Sequence, residues 1–308
     1  HIFARGADDD KGQAFIQVKA FEYLVRNNLL KHNVKFIFEG EEEIGSPSLA
    51  AFLEEHKELL KCDIILVSDT SMLGADLPSL TTGLRGLAYW QIEVTGANRD
   101  LHSGHFGGAV ANPINVLCKL IADVIDENGR ITIPHFYDDV EEVPAAEREM
   151  IAAIPFDEEA YKQGLGVEAL QGEKGYSTLE RNSCRPSFDV CGIWGGYTDE
   201  GAKTVIPSKA YAKVSTRLVP HQQHEKISQL FIDYIKEVAP RSVKVEVTPL
   251  HGGEGYVCPI TIPAYRAAED GFTQAFGKRP LAVRRGGSIP IISDFERVLG
   301  VKTVLMGF

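Results

Sequence analysis

The 308-residue chain has no CxxC pair, no run of about 18 apolar residues, no GxSxG and no GxxxxGK[ST]. Each absence closes a route. The five cysteines, Cys62, Cys118, Cys184, Cys191 and Cys258, are scattered. They read as reduced thiols of an intracellular protein, not as a disulfide framework or a zinc knuckle. No membrane span is expected, and neither a serine-hydrolase elbow nor a phosphate loop is present. Basic residues are in deficit, 32 Lys and Arg against 43 Asp and Glu, and the net charge of -11 argues against a nucleic-acid partner. No signal-peptide pattern opens the chain, so a cytoplasmic protein is expected. There is no internal repeat and no low-complexity segment. The first residue is His1, and the chain stops directly after the strand-like VKTVLMGF. Both ends read as those of an internal portion of a longer polypeptide.

What is present is α/β grammar. Phe15, Val18, Phe21, Leu24, Val25 and Leu29 share one helical face. VKFIF (34–38) is an apolar run expected as a buried strand, 48–60 a second helix, and DIILV (63–67) a second strand. This alternation predicts a mostly parallel sheet. The pattern changes near residue 81. Ala88, Trp90, Ile92 and Val94 alternate with polar neighbours, as in a strand with one buried face. Asn112-Pro113 is a helix start, a cap followed by proline. Strands at 187–194 and 209–219, a helix over 223–238 and a strand at 243–250 complete a β-α-β-β-α-β order, that of a ferredoxin-like unit. The polar, acidic stretch 130–186 reads as an elaborated insertion. The expected architecture is an α/β domain, residues 1–80 and 284–308, interrupted by a smaller α+β domain over 81–283.

Four clusters could carry chemistry. They are Asp8-Asp9-Asp10, EGEEEIGS (39–46), SDTS (68–71) and DLHSGHFGG (100–108). Two of them follow the carboxyl ends of expected parallel strands, the edge where open α/β sheets bind ligands. Taken alone, each is an ordinary solvated turn, helix start or cap. Taken together, carboxylates from several loops call for a cation, because desolvated like charges repel. Oxygen donors suit divalent metals, and imidazole suits zinc.

The ordered motifs ARGADDDKG, FEGEEEIGS, LVSDTS, DLHSGHFGGAVANP, AKTVIP, STRLVP and RGGSIP resemble those of the M20 metallopeptidases, above all the carnosinase-type dipeptidases. The resemblance runs from about residue 3 to 308. It implies a catalytic α/β domain with an inserted lid and dimerisation domain, and a homodimer formed through 81–283. It implies two divalent metal ions, zinc first, with manganese or cobalt as alternatives. By the same resemblance Asp9, Glu43 and Asp69 are metal ligands, Glu42 is the general base and His102 polarises the scissile carbonyl and reaches the partner subunit's site. Thr204, Arg217 and Ser288 bind substrate, Arg217 by gripping a carboxylate with its planar fork. In such a site two metals polarise the carbonyl and lower the pKa of a bridging water, whose proton Glu42 passes to the leaving nitrogen. The substrate implied is a small peptide or an acylated amino acid.

The chain departs from the family pattern in two ways. A histidine in an upstream H-x-D motif and a histidine near the carboxyl end, both family ligands, have no counterpart; His1 is too close to Asp9 to match the first. Arg285 stands where carnosinase-like members often carry an acid suited to a free amino terminus, which favours acidic or acylated substrates. Three functions stay open: a dipeptidase, an N-acyl-amino-acid deacylase of the same fold, and a non-catalytic homologue with an incomplete metal site.

Overall fold

The computed structural model describes residues 3–308, so the readings made of His1 fall outside it. In chain order the strands are β1 (Ile65–Val67), β2 (Ser79–Leu84), β3 (Gly86–Thr95), β4 (Leu101–His102), β5 (Ser187–Gly195), β6 (Val205–Ile206), β7 (Lys209–Leu218), β8 (Lys244–Gly253), β9 (Tyr256–Val257), β10 (Leu281–Arg285) and β11 (Thr303–Leu305). The chain divides into two compact units. The first takes the residues up to Leu84, then Tyr256–Arg285 and Ile289–Phe308; the second takes Arg85–Gly255 and Gly286–Ser288.

The first unit is built on a mixed sheet in the order β1-β11-β2-β10, with β9 also beside β2. The pairs β1/β11 and β2/β10 are parallel, while β11/β2 and β2/β9 are antiparallel. Leu53, Leu80, Ile292 and Leu305 are fully buried in its core. The helix Pro263–Phe276 opens on its proline and closes on Gly277 in the left-handed region (φ 69°), the asymmetry expected of those two residues. The expected helix over 48–60 breaks at His56 into Leu49–Glu55 and Lys57–Leu60.

VKFIF is not a strand. Residues 31–40 form no helix or ladder, and Val34, Phe36, Ile37 and Phe38 keep 42–69% of their surface exposed. An apolar run becomes a strand only where a partner offers its backbone groups, and none of the described strands lies alongside. The segment is held locally instead. Lys35 Nζ donates to the carbonyl oxygens of Leu59 and Lys61, both at 2.6 Å, and Phe36 packs edge-on against Phe21.

The second unit has a four-stranded antiparallel sheet in the order β5-β7-β3-β8. The helices Pro113–Ala122 and His224–Val238 pack on it, which is the ferredoxin-like order. Burial alternates strictly along β3, and Ala88, Trp90, Ile92 and Val94 are all fully buried. They meet Leu117, Ile227, Phe231 and Ile235 from the two helices. Asn112 caps its helix as expected, its Oδ1 accepting from Ile114 N at 2.9 Å. The stretch read as an insertion contains short helices at Ala145–Ala152, Glu158–Leu165 and Thr178–Arg181. A separate two-stranded ribbon, β4-β6, completes the unit. Among the described residues no helix is long and apolar enough to cross a membrane.

Candidate active site

In the first unit the acidic motifs converge. Residues 7–12 form a tight turn that runs into the helix Gln13–Arg26, with Asp9 in extended backbone (φ -101°, ψ 95°). Glu42 and Glu43 open the short turn Glu42–Ile44, and Asp69 follows β1. Gly307 closes tightly over the Asp69 loop. A Cβ there would lie 1.8 Å from the Thr70 carbonyl oxygen, so only glycine fits.

The carboxylates feel one another. Burial, then Asp69, Asp9 and Asp8, push the Asp10 carboxyl up to about 6. Burial, then Asp69, Glu43, Asp9 and Glu39, raise Glu42. Burial, then Asp9, Glu43 and Glu39, raise Asp69. These are the directions expected where negative charge is desolvated without a cation. Two members of the cluster, Asp10 and Glu39, lie in the acidic motifs of the sequence but receive no role from the family pattern. The family pattern points to the middle aspartate of the triple, and nothing local shows that the third is the more buried. Asp10 Oδ1 is a buried oxygen without a hydrogen-bond partner.

That orphaned oxygen and the uncompensated carboxylates fit a divalent cation in chemistry. They are not drawn into a coordination sphere. Among the described residues no three His, Cys, Asp or Glu side chains are gathered closely enough to hold a metal ion, and Glu43 is turned to Arg5 at 2.9 Å.

The second unit holds the remaining expected residues as two groups. His102 lies on β4 opposite Val205 of β6. Its Nδ1 accepts from Gly104 N at 3.0 Å, which leaves the proton on Nε2, 3.2 Å from Thr204 Oγ1. In that tautomer Nε2 is the ring nitrogen able to donate. In the other group Arg217 Nη1, on β7, donates to Ser288 Oγ at 2.7 Å, and Ser288 Oγ donates to the Gly86 carbonyl. Arg85 is a neighbour that sequence reasoning missed. It is nearly buried, and burial followed by Arg217 pushes its pKa down to about 10. It donates to the carbonyls of Gly286 and Arg185, both at 3.1 Å. A Cβ at Gly286 would lie 2.2 Å from Asn182 O and 2.8 Å from Arg85 Nη2, which explains the glycine there. Two guanidiniums this close favour an anion between or beside them.

A ferredoxin-like unit inserted into an α/β unit that carries a carboxylate cluster defines the fold class. The comparisons narrow it. Residues 82–243 match the peptidase dimerisation domain family. The chain is 33% identical over 311 residues to the Cys-Gly metallodipeptidase of Schizosaccharomyces pombe, covering 99% of this chain and 65% of that protein. It is 33% identical over 315 residues to the human Beta-Ala-His dipeptidase, covering 99% and 61%. Its structure resembles an M20 family metallo-carboxypeptidase from Sulfolobus solfataricus, with a TM-score of 0.89 and 30% identity, covering 98% of this chain and 68% of that one. It also resembles human carnosine dipeptidase 1, with a TM-score of 0.81 and 31% identity over 98% and 65%. The chain belongs to the M20 peptidase family. It spans 61–65% of the length of the two curated relatives named here.

Proposed function

We propose that the polypeptide containing this chain is a metal-dependent hydrolase that cleaves the amide bond of dipeptides or short peptides with a free carboxylate. One observation carries the reading: carboxylates from three separate loops, Asp9 with Asp10, Glu42 with Glu43, and Asp69, crowd together until burial and mutual repulsion raise Asp10, Glu42 and Asp69. Asp9, Glu43 and Asp69 would hold divalent metal, zinc first and two ions by family resemblance. The metal would supply Lewis-acid polarisation of the carbonyl and acidify water.

The remaining chemistry belongs to the chain's own residues. Glu42, raised toward working pH, takes a proton from the attacking water at its carboxylate and returns it to the leaving nitrogen. His102 donates from Nε2 to the developing oxyanion, across the dimer by family resemblance. Arg217, steadied by Ser288, binds the substrate carboxylate. A cytoplasmic homodimer is part of this reading.

The test is amino-acid release from dipeptides and N-acyl amino acids by the full polypeptide with added zinc, beside Glu42→Gln. Cleavage that is lost in the variant upholds the reading. A metal-loaded protein that cleaves nothing overturns it.

A further inference from the structure

The arginines of this chain have partners as a rule. Arg185 grips Glu173 through Nε and Nη2 at 2.7 and 2.8 Å. Arg148 grips Glu180, Arg279 grips Glu269 and Arg297 grips Asp294. Arg85 has no carboxylate, but its donors go to main-chain oxygens.

Arg285 breaks the rule. It ends β10, and its Nη2 donates to the carbonyl oxygen of Ser71 at 2.6 Å. Among the described residues that is the only hydrogen bond of a group with five donors, and it has no ion pair. Its Nε is shut off from solvent and has no partner. Burial lowers its pKa, and no acid acts against that effect. In a chain with 43 acids and 32 bases, a partly desolvated guanidinium without an anion is conspicuous. Burying such a cation is unfavourable unless an anion meets it, and sites of this kind are kept where a ligand supplies the counter-charge.

The Ser71 bond fixes the place. Ser71 ends the SDTS loop that carries Asp69, and Thr70 Oγ1 of the same loop is also buried without a partner. Arg285 and Thr70 thus leave unmade donors on and against the loop that carries Asp69, and no acid of the cluster answers Arg285.

We propose that Arg285 is a specificity residue that binds a second substrate carboxylate, distinct from the one assigned to Arg217, so that dicarboxylate substrates are preferred. The inference rests on the hydrolase reading above. The carboxylate has two possible sources, an acidic amino-terminal side chain or a dicarboxylic acyl group, and the substrates below separate them.

The test compares kcat/KM of the full zinc-loaded polypeptide on Glu-Ala against Ala-Ala, and on succinyl-alanine against acetyl-alanine. It is run for the wild type, Arg285→Gln and Arg285→Lys. The wild type should prefer the dicarboxylate member of at least one pair by roughly 10- to 100-fold, the range of a charge-assisted hydrogen bond. Arg285→Gln should erase that preference, and Arg285→Lys should keep part of it. Whichever pair shows the preference names the source. A wild type with no preference, or a preference that survives in Arg285→Gln, overturns the proposal. If Arg285→Gln does not fold, the loss in Arg285→Lys decides, with an unchanged ratio counting against Arg285.

Binding keeps this test separate from the hydrolase reading. Ligand-observed NMR of Glu-Ala and succinyl-alanine on metal-free protein needs no turnover. Affinity that falls about tenfold in Arg285→Gln supports Arg285 even if nothing is hydrolysed; equal affinity rejects it.

Discussion

The two units treat buried carboxylates in opposite ways. In the second, Glu173 is 7% exposed and lies between Arg185 and Arg130, and Glu180 accepts from Arg148 at 2.5 Å and from the Ser177 backbone. Burial alone would raise Glu180, but Arg148 and the Ser177 amide outweigh it and hold its pKa down. In the first, Asp10, Glu42 and Asp69 are raised, and the causes after burial are all other acids. One residue class thus serves two ends. Paired with a guanidinium a carboxylate is structural; crowded with its own kind it favours a proton or a cation.

The largest effect that tests this contrast is chemical. Glu42→Gln preserves shape and removes the proposed base. The turnover rate of the zinc-loaded polypeptide should fall by about 10²–10⁴-fold, the usual contribution of general-base catalysis. Glu180→Gln should leave turnover intact at temperatures where the protein stays folded. If the two variants lose activity equally, the division between structural and chemical carboxylates fails.

The next effect is on stability. Arg185→Met leaves Glu173 buried with only the half-exposed Arg130, at 3.2 Å, to face it. Removing one partner of a buried pair costs about 3–5 kcal/mol, whereas replacing both with apolar groups is often near neutral. Denaturant unfolding should therefore show Arg185→Met to be less stable than Arg185→Met/Glu173→Leu. A double variant at least as destabilised as the single would make packing, not charge, the role of the pair. A smaller change is expected at Arg217→Ala, which should raise KM for carboxylate-bearing substrates by roughly 10- to 100-fold, the worth of a charged hydrogen bond. Esterifying that substrate carboxylate should remove the difference between wild type and variant.

Legibility differed between the units for the same physical reason. The second unit's framework was written in local periodicity. Alternation over 88–94 named the buried face of β3, and Asn112-Pro113 named a cap. The acidic loops were visible as motifs, and the structure brings Asp9, Glu42, Glu43 and Asp69 into one charge cluster. What stayed hidden depends on partners distant in the chain. VKFIF is apolar enough for a strand, but pairing is a property of neighbours, not of the run itself. Arg85 meets Gly286 across 201 residues, and the Glu173–Arg185 pair sits in a stretch that had no periodicity to read. Burial separates Asp10 from Asp9, and no adjacent residue encodes it.

The smallest expected effect follows from Asp10. Its folded pKa is about 6 against an ordinary 3.8, so the folded state binds this proton more tightly than the unfolded chain. The resulting stability is fully present below about 3.8 and is lost as pH rises through about 6. Glu180 has the opposite sign. Its lowered pKa contributes stability above the ordinary carboxylate value, lost as pH falls through the folded pKa. For metal-free protein, Asp10→Asn should therefore raise the thermal midpoint at pH 7 and change it little at pH 4, whereas Glu180→Gln should lower it most at neutral pH. A divalent cation at pH 7 should stabilise the wild type by reversing the field of the acidic cluster. A gain from Asp10→Asn that is the same at both pH values would mean that burial and the neighbouring acids do not raise Asp10 in the folded protein, and the contrast between the two units would lose its electrostatic basis.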